Sequence, residues 1–415
     1  MGAPSSNAST RTEDDAFGAL TLPADALYGI HTARAVQNLR FSSRTLGTCP
    51  PYVRGLAMVK RAAARANREA GGLDAPCADA IDAATASLLA GDYLAHFPAD
   101  LLGGGGSIGV HMNVNEVVAN LANEHLGRQR GEYVPVHPVQ HVSASQSTAD
   151  VCHTALRLAM LDQWAALQQT LDGVVMALHD KAKAFAPITT LARTCLQDAM
   201  PASLGLLFGG YAALLERRTA ALAHAIDALH AVALGGTVIG TGDGASPRYR
   251  ERIIPILGEI AARPLRPRTD PADALQNSDD VAAVSAQLAL LAQALIKIAQ
   301  DLRLLSSGPA GGFGELTVPA VQAGSSFFAG KVNPVIPETL LQCAFQVLGC
   351  DRAVQAACEH AELYLNVFDG LAAVNVLDAI DMLTRAIDRF TTHCVRDIRA
   401  NEERCRALAG LGRPR

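Results

Sequence analysis

Residues 324–334, Gly-Ser-Ser-Phe-Phe-Ala-Gly-Lys-Val-Asn-Pro, hold the densest set of groups able to do chemistry in this chain. Lys331 brings a cation with three donors, Asn333 an amide that donates and accepts, and Ser325 and Ser326 two hydroxyls. Gly324 and Gly330 permit open or left-handed backbone, so the segment reads as a mobile loop. Such a loop suits a negatively charged substrate from which a proton must be moved. The same residue types also make an ordinary polar surface turn, and composition alone leaves both readings open.

The elements that must carry this loop are helical. Of 415 residues 49% are hydrophobic but only 5% aromatic, with alanine and leucine dominant, which favours helix over sheet. Apolar residues recur at three- and four-residue steps over 151–184, through Leu156, Met160, Leu167, Leu171 and Leu178. Similar patterns occupy 204–234, 280–305, 339–362 and 372–400, with a shorter one at 53–70. These helices are apolar around much of their circumference, as helices buried in a bundle and against partner subunits must be. The predicted fold class is mainly α, a long-helix bundle with a smaller mixed N-terminal domain. Residues 1–20 read as a flexible arm, 21–145 as the mixed domain, 146–405 as the bundle and 406–415 as a tail.

Composition excludes several functions. A net charge of −5 with no basic run argues against nucleic acid or an anionic membrane as main partner. Nine cysteines without a Cys-x-x-Cys pair argue against a zinc site or disulfide framework and for a reducing compartment. No His/Cys/Asp/Glu cluster has metal-ligand spacing, so neither metal nor cofactor is expected. The polar N-terminus lacks the apolar core of a signal peptide, and the alanine-rich stretches are interrupted by polar residues, so a cytoplasmic protein is expected. Residues 104–109 fit Gly-x-Gly-x-x-Gly, but Pro98 and Asp100 precede them where a dinucleotide site needs a strand.

The 324–334 loop resembles the signature of the fumarase/aspartase superfamily, Gly-Ser-Ser-x-Met-Pro-x-Lys-x-Asn-Pro, with Phe328 and Ala329 in place of Met-Pro. Further segments are similar to that family in the same order: 27–35 (LYGIHTARA), 112–117 (MNVNEV), 146–150 (QSTAD), 193–199 (RTCLQDA) and 302–309 (LRLLSSGP). The resemblance implies a homotetramer whose active sites are each shared between subunits. Residues 401–405 look like the end of the last bundle helix. Only ten residues follow, so the small third domain usual in the family is expected to be absent.

The resemblance also implies a reaction: anti elimination on a four-carbon dicarboxylate. A base removes the C3 proton, an amine or hydroxyl leaves C2, and fumarate forms. The proton is weakly acidic and its removal gives a doubly charged aci-carboxylate, which preorganised donors and cations must stabilise. Ser325 matches the family's base, with Lys331 and Asn333 suited to the developing charge and Ser326 able to join them. Ser147, Thr148 and Thr194 match positions that bind substrate carboxylates, although Ser147 and Thr148 also sit where a helix cap belongs.

The pattern breaks in places. Ile108 and Gly109 stand where the family has Thr-Ser, leaving Ser107 to substitute by a one-residue shift. His111 replaces an asparagine, Ala149 an asparagine, and Leu206 a glutamine. Cys195 stands where fumarase-like enzymes pair a histidine with a glutamate corresponding to Glu338. It is either a space-filler or a thiol of lowered pKa. His111 and His141 are candidate acids for the leaving group, or structural histidines. Cys195 in place of the paired histidine points away from water chemistry. The lost donors at Ile108 and Ala149 weaken binding of plain aspartate or fumarate and suit a larger or less polar group on the amino side. A carbon–nitrogen lyase acting on aspartate or a nitrogen-substituted relative is therefore expected. The alternatives are a fumarase-type hydratase and an inactive scaffold that kept the shell.

Overall fold

In the computed structural model residues 9–411 are described. Twelve α-helices carry them: α1 (Ile30–Leu39), α2 (Pro50–Glu69), α3 (Ala75–Leu89), α4 (Ile108–His125), α5 (Thr148–Ala184), α6 (Leu204–Ala228), α7 (Pro247–Ala261), α8 (Pro271–Gln276), α9 (Asp279–Leu305), α10 (Val335–Glu359), α11 (Asp369–Phe390) and α12 (Glu402–Ala409). The five long apolar patterns all become helices, the longest being α5 with 37 residues. By length and composition α9 also meets the requirements of a membrane span, but 56% of that window is buried in the protein, as in a core helix.

Contacts divide the chain into two units. The first holds the described residues up to Asp162, with Ile226–Ala282 and Ala353–Leu377. It begins with an antiparallel hairpin, β1 (Thr10–Asp15) and β2 (Gly18–Pro23), where a flexible arm is expected over 1–20. The charges that read as disorder are paired: Asp15 accepts two hydrogen bonds from Arg34 at 2.8 Å, and Glu13 takes the Arg11 Nε–H at 2.9 Å. Residues 1–8 of that arm lie outside the described residues. Here α2 packs on α3 and α7, α3 on α4, and α1 on α4.

Two segments read as family signatures meet in this unit for a structural reason. The buried Glu116 accepts the backbone N–H groups of Gly29 (2.9 Å), His31 (2.9 Å) and Thr32 (3.1 Å) and the Thr32 hydroxyl (2.5 Å). A carboxylate on the free N–H groups of α1 satisfies donors that the helix itself cannot. Gly29 has no space for a side chain, since a Cβ there would collide with the Tyr133 hydroxyl and the Glu116 carboxylate.

Two further contacts fix α5 in the same unit. Arg157 forms a two-pronged pair with Asp280 at 2.8 and 2.7 Å, both side chains 4% exposed. At Gly55 in α2, a Cβ would overlap the Ala155 carbonyl oxygen, so the two backbones touch. Gly55→Ala is therefore expected to force the helices apart, at a cost of about 1–3 kcal/mol despite alanine's better helix propensity. Urea unfolding midpoints check this; an unchanged or raised midpoint would mean the helices separate freely.

The second unit holds Gln163–Ala225, Ala283–Arg352 and residues from Asp378 onward. A second antiparallel hairpin, β3 (Thr189–Thr194) and β4 (Gln197–Ser203), packs against α12. Leu316–Thr317 pairs with Arg399–Ala400. The expected single helix over 372–400 is α-helical to Phe390 and continues as one π-helical turn over Thr391–Val395, ending short of the Arg399–Ala400 strand. Residues 401–405 do not end that helix. Asn401 caps the separate α12, its side chain accepting the Arg404 N–H at 3.1 Å.

Candidate active site

The loop 324–334 runs directly into α10 in the second unit. Its base is closed by two hydrogen bonds: Gly324 N–H to the Lys331 carbonyl (2.9 Å) and Asn333 Nδ2–H to the Gly324 carbonyl (2.8 Å). A Cβ on Gly324 would strike that same Lys331 carbonyl, which accounts for the glycine. Asn333 thus spends one amide N–H on bracing the loop and keeps the other. Gly330, at φ +77°, supplies the left-handed turn.

Within the loop, Ser325 Oγ accepts the backbone N–H groups of Phe327 (3.0 Å) and Phe328 (2.9 Å). Hydrogen bonds donated to an oxygen favour its anionic form. Ser325 is half-buried, while Lys331 and Ser326 are exposed and make no side-chain hydrogen bond among the described residues. Phe327 and Phe328, the second of them in place of the family pattern's Met, stack edge-on at the exposed tip, ring centroids 4.9 Å apart.

Thr194, Cys195 and Leu196 form the exposed tip of the β3–β4 hairpin. Cys195 and Leu196 adopt φ of +53° and +58°. A two-residue turn of this hand usually takes asparagine or glycine, and other residues there carry strain of about 1–3 kcal/mol each. Cys195 fills no interior space in this chain; its thiol stands on the surface. Behind the tip the fully buried Glu315 binds Arg193 (2.7 Å) and Thr190, and the Arg193 guanidinium stacks on Phe313 at 4.3 Å. Glu338 pairs across the helix surface with Arg303 at 3.4 Å.

The first unit gathers a different set at the N-terminus of α5. Ser147 caps the helix: its hydroxyl accepts the Ala149 N–H (3.3 Å), and Asp150 reaches back to the Ser147 N–H (2.9 Å), a capping box. Thr148, the first helical residue, lies 2.8 Å from His111 Nδ1. The other ring nitrogen of His111 is 2.6 Å from Lys60 Nζ, and Lys60 also donates to Gln146 Oε1 at 2.9 Å. Lys60 has no exposed surface and His111 only 3%. Burial pushes Lys60 down to about 7, while burial and then the Lys60 charge hold His111 well below the ordinary histidine value. Asp150 is pushed up to about 6 by burial, against three backbone N–H groups and Lys60.

Lys60 was not singled out from the sequence, and Gln146 and Asp150 entered only as members of the 146–150 segment, without a role. A signal for Lys60 was present: it follows Leu56 by one helical turn and sits inside Leu-Ala-Met-Val-Lys-Arg-Ala-Ala-Ala, on the apolar face. A pH dependence follows. Between about 7 and 10.5 the unfolded chain holds a proton that folded Lys60 has lost, so folding stability rises with pH across that window. Lys60→Met is expected to flatten that rise, and denaturant midpoints taken from neutral to alkaline pH check it; parallel curves for the two proteins would refute it.

Two expected contacts are redirected. Ser107 is buried and its hydroxyl donates to Asp369 at 2.7 Å, so it does not stand in for the lost donors of 108–109. His141 Nδ1 accepts the His137 N–H at 2.8 Å, which fixes its ring in a surface turn. The glycine run 103–106 is preceded by a short 3-10 turn and an isolated bridge at Asp100, not by a strand. Among the described residues no group of three His, Cys, Asp or Glu side chains is arranged to hold a metal ion.

A glycine-clamped serine/lysine/asparagine loop leading into a long-helix bundle defines a class. The chain matches the family described as Lyase over residues 18–349, and it belongs to that family. An aspartate ammonia-lyase of Pseudomonas canavaninivorans is 45% identical over 405 residues, spanning 97% of this chain and 85% of the relative. The crystal structure of a fumarate lyase:delta crystallin from Brucella melitensis superposes with a TM-score of 0.94 at 43% identity, covering 96% of this chain and 87% of the other. A class II fumarase from Schistosoma mansoni gives the same TM-score, 0.94, and the same coverage, 96% and 87%, at 30% identity. The resemblance to the fumarase/aspartase superfamily drawn from short motifs thus extends over nearly the whole chain.

Proposed function

We propose that this protein is a carbon–nitrogen lyase that eliminates ammonia or an amine from aspartate, or from a nitrogen-substituted aspartate, to give fumarate. The observation that carries this reading is the Ser325 oxygen seated on the N–H groups of Phe327 and Phe328, in a loop that also holds Lys331 and Asn333. A free serine is a poor base. One whose alkoxide is hydrogen-bonded and enclosed near a cation is a better one.

In the proposed mechanism Ser325 takes the C3 proton. The electron pair moves into the adjacent carboxylate, and Lys331, the remaining Asn333 N–H and Ser326 hold the resulting dianion. The C2–N bond then breaks and the amine departs. Ser147 and Thr148 bind a substrate carboxylate at the N-terminus of α5, where helix N–H groups favour an anion, and Thr194 binds on the hairpin. Cys195, in place of the histidine that pairs with glutamate in fumarase-like enzymes, disfavours water as leaving group. The protein works as a cytoplasmic homotetramer with each site assembled from several subunits.

Fumarate absorbance after mixing the protein with aspartate, nitrogen-substituted aspartates, argininosuccinate or malate tests the reading. Aspartate-type substrates are expected to react and malate not; turnover of malate alone would make the protein a hydratase. Shared sites are tested by mixing Ser325→Ala protein with Thr148→Glu protein, whose added charge repels a carboxylate, each expected to be inactive alone, after dissociation. Recovered activity supports sharing, and none in a reassembled mixture opposes it.

A further inference from the structure

We infer that Lys60 and His111 form a positioning dyad that makes the Thr148 hydroxyl a donor to substrate. The inference rests on the lyase reading above and adds a role to two residues that do not themselves touch substrate in it.

The hydrogen-bond directions follow one from another. Gln146 Nε2 donates to the carbonyls of Val142 and Ala144, both at 3.0 Å, so its oxygen must be the atom facing Lys60. Lys60 therefore donates to Gln146. An ammonium has donors only, so a second Lys60 N–H points at His111 Nε2, 2.6 Å away. That nitrogen must accept, and the ring is then neutral with its proton on Nδ1. Nδ1–H in turn donates to Thr148 Oγ, 2.8 Å away. With its oxygen occupied as acceptor, Thr148 keeps its own O–H proton to give to a carboxylate. The reversed chain, with His111 protonated on Nε2, would make Thr148 donate inward and offer only lone pairs to an anion.

This assignment separates His111 from the role of proton donor to the leaving group. Its environment agrees. The ring is 3% exposed, both nitrogens are engaged within the cluster, and burial opposes a second proton. Ser143 Oγ, at 3.5 Å from Nε2, is too distant to displace Lys60 as partner.

Two measurements on the full chain test the dyad. Solid-state nitrogen NMR of histidine-labelled protein, slightly on the acid side of neutrality where Lys60 is charged, reads the tautomer directly. The His111 ring, assigned by its loss in His111→Phe or its shift in Thr148→Val, is expected to be neutral and protonated on Nδ1. An Nε2–H or doubly protonated ring overturns the inference, whatever substrate the enzyme uses. The second measurement is a double-mutant cycle on steady-state kinetics. His111→Phe and Thr148→Val are each expected to raise KM about tenfold with a smaller effect on kcat, and the double variant to go no further. Multiplying effects, about a hundredfold in the double variant, would show that the two act separately. If none of the aspartate-type substrates reacts, the lyase reading fails while the tautomer still decides the dyad.

Discussion

Ser325→Ala is expected to lower kcat by about 10²–10⁴-fold while leaving the fold intact. The side chain is half-buried on a loop, and among the described residues its oxygen bonds only the N–H groups of Phe327 and Phe328 within the same turn, so little else depends on it. The loss belongs in kcat because a base acts on the reacting atoms, whereas the carboxylate contacts assigned to Thr148 and Thr194 are made in ground and transition states alike. Binding of succinate, which offers both carboxylates and no leaving group, should hardly change. Initial rates of fumarate formation with a circular dichroism control make the comparison. A kcat within about tenfold of wild type would remove Ser325 from the mechanism.

The second large effect concerns stability. Asp280→Asn should cost about 3–5 kcal/mol, because it strands the Arg157 guanidinium without its counter-charge in a site where both side chains are 4% exposed. Replacing both partners by apolar residues of similar volume should recover most of that loss, since the pair's own desolvation offsets much of its attraction. Burial pushes the Asp280 carboxyl up, but the charge and hydrogen bonds of Arg157, with Arg268 beyond, outweigh it and hold the group below its ordinary 3.8. The sign follows. The folded state releases this proton more readily than the unfolded chain, so the contribution is complete above about 3.8 and disappears as pH falls through the lower folded value. Urea midpoints of the single and double variants, at neutral and acid pH, measure both statements. A single variant costing under about 1 kcal/mol would show that water reaches Arg157.

How much of this was legible in the sequence depends on what each residue's partner is. The long helices declare themselves locally, because the apolar steps along 151–184 or 280–305 have one periodic explanation. Their ends were less legible. Residues 372–400 keep an apolar pattern beyond Phe390, yet the helix widens to a π-helical turn at 391–395 and ends before Ala400, and Asn401 starts a new helix through a cap that periodicity does not report. The loop was found because glycine, serine, lysine and asparagine fall together. The N-terminal hairpin was missed for the opposite reason: Asp15 meets Arg34 nineteen residues away, so its charges looked solvated. The β3–β4 turn carries neither glycine nor asparagine at Cys195 and Leu196, so no turn signal marks it. Lys60 shows what motif reading leaves out. It faces inward on an alanine-rich helix, and its partner His111 reads as a candidate acid, with nothing in the spacing to join the two. The Ser147–Asp150 box shows that Ser147 caps α5, a role its place before a long helix already implied and one compatible with the carboxylate contact proposed for it.

The clamp at the foot of the loop, Gly324 to Lys331 and Asn333 to Gly324, has a kinetic corollary. Under the proposed mechanism, a segment stapled at its neck holds its hydroxyls, cation and amide close together before substrate arrives. Part of the ordering cost is met once, when the polypeptide folds, and not again with each substrate bound.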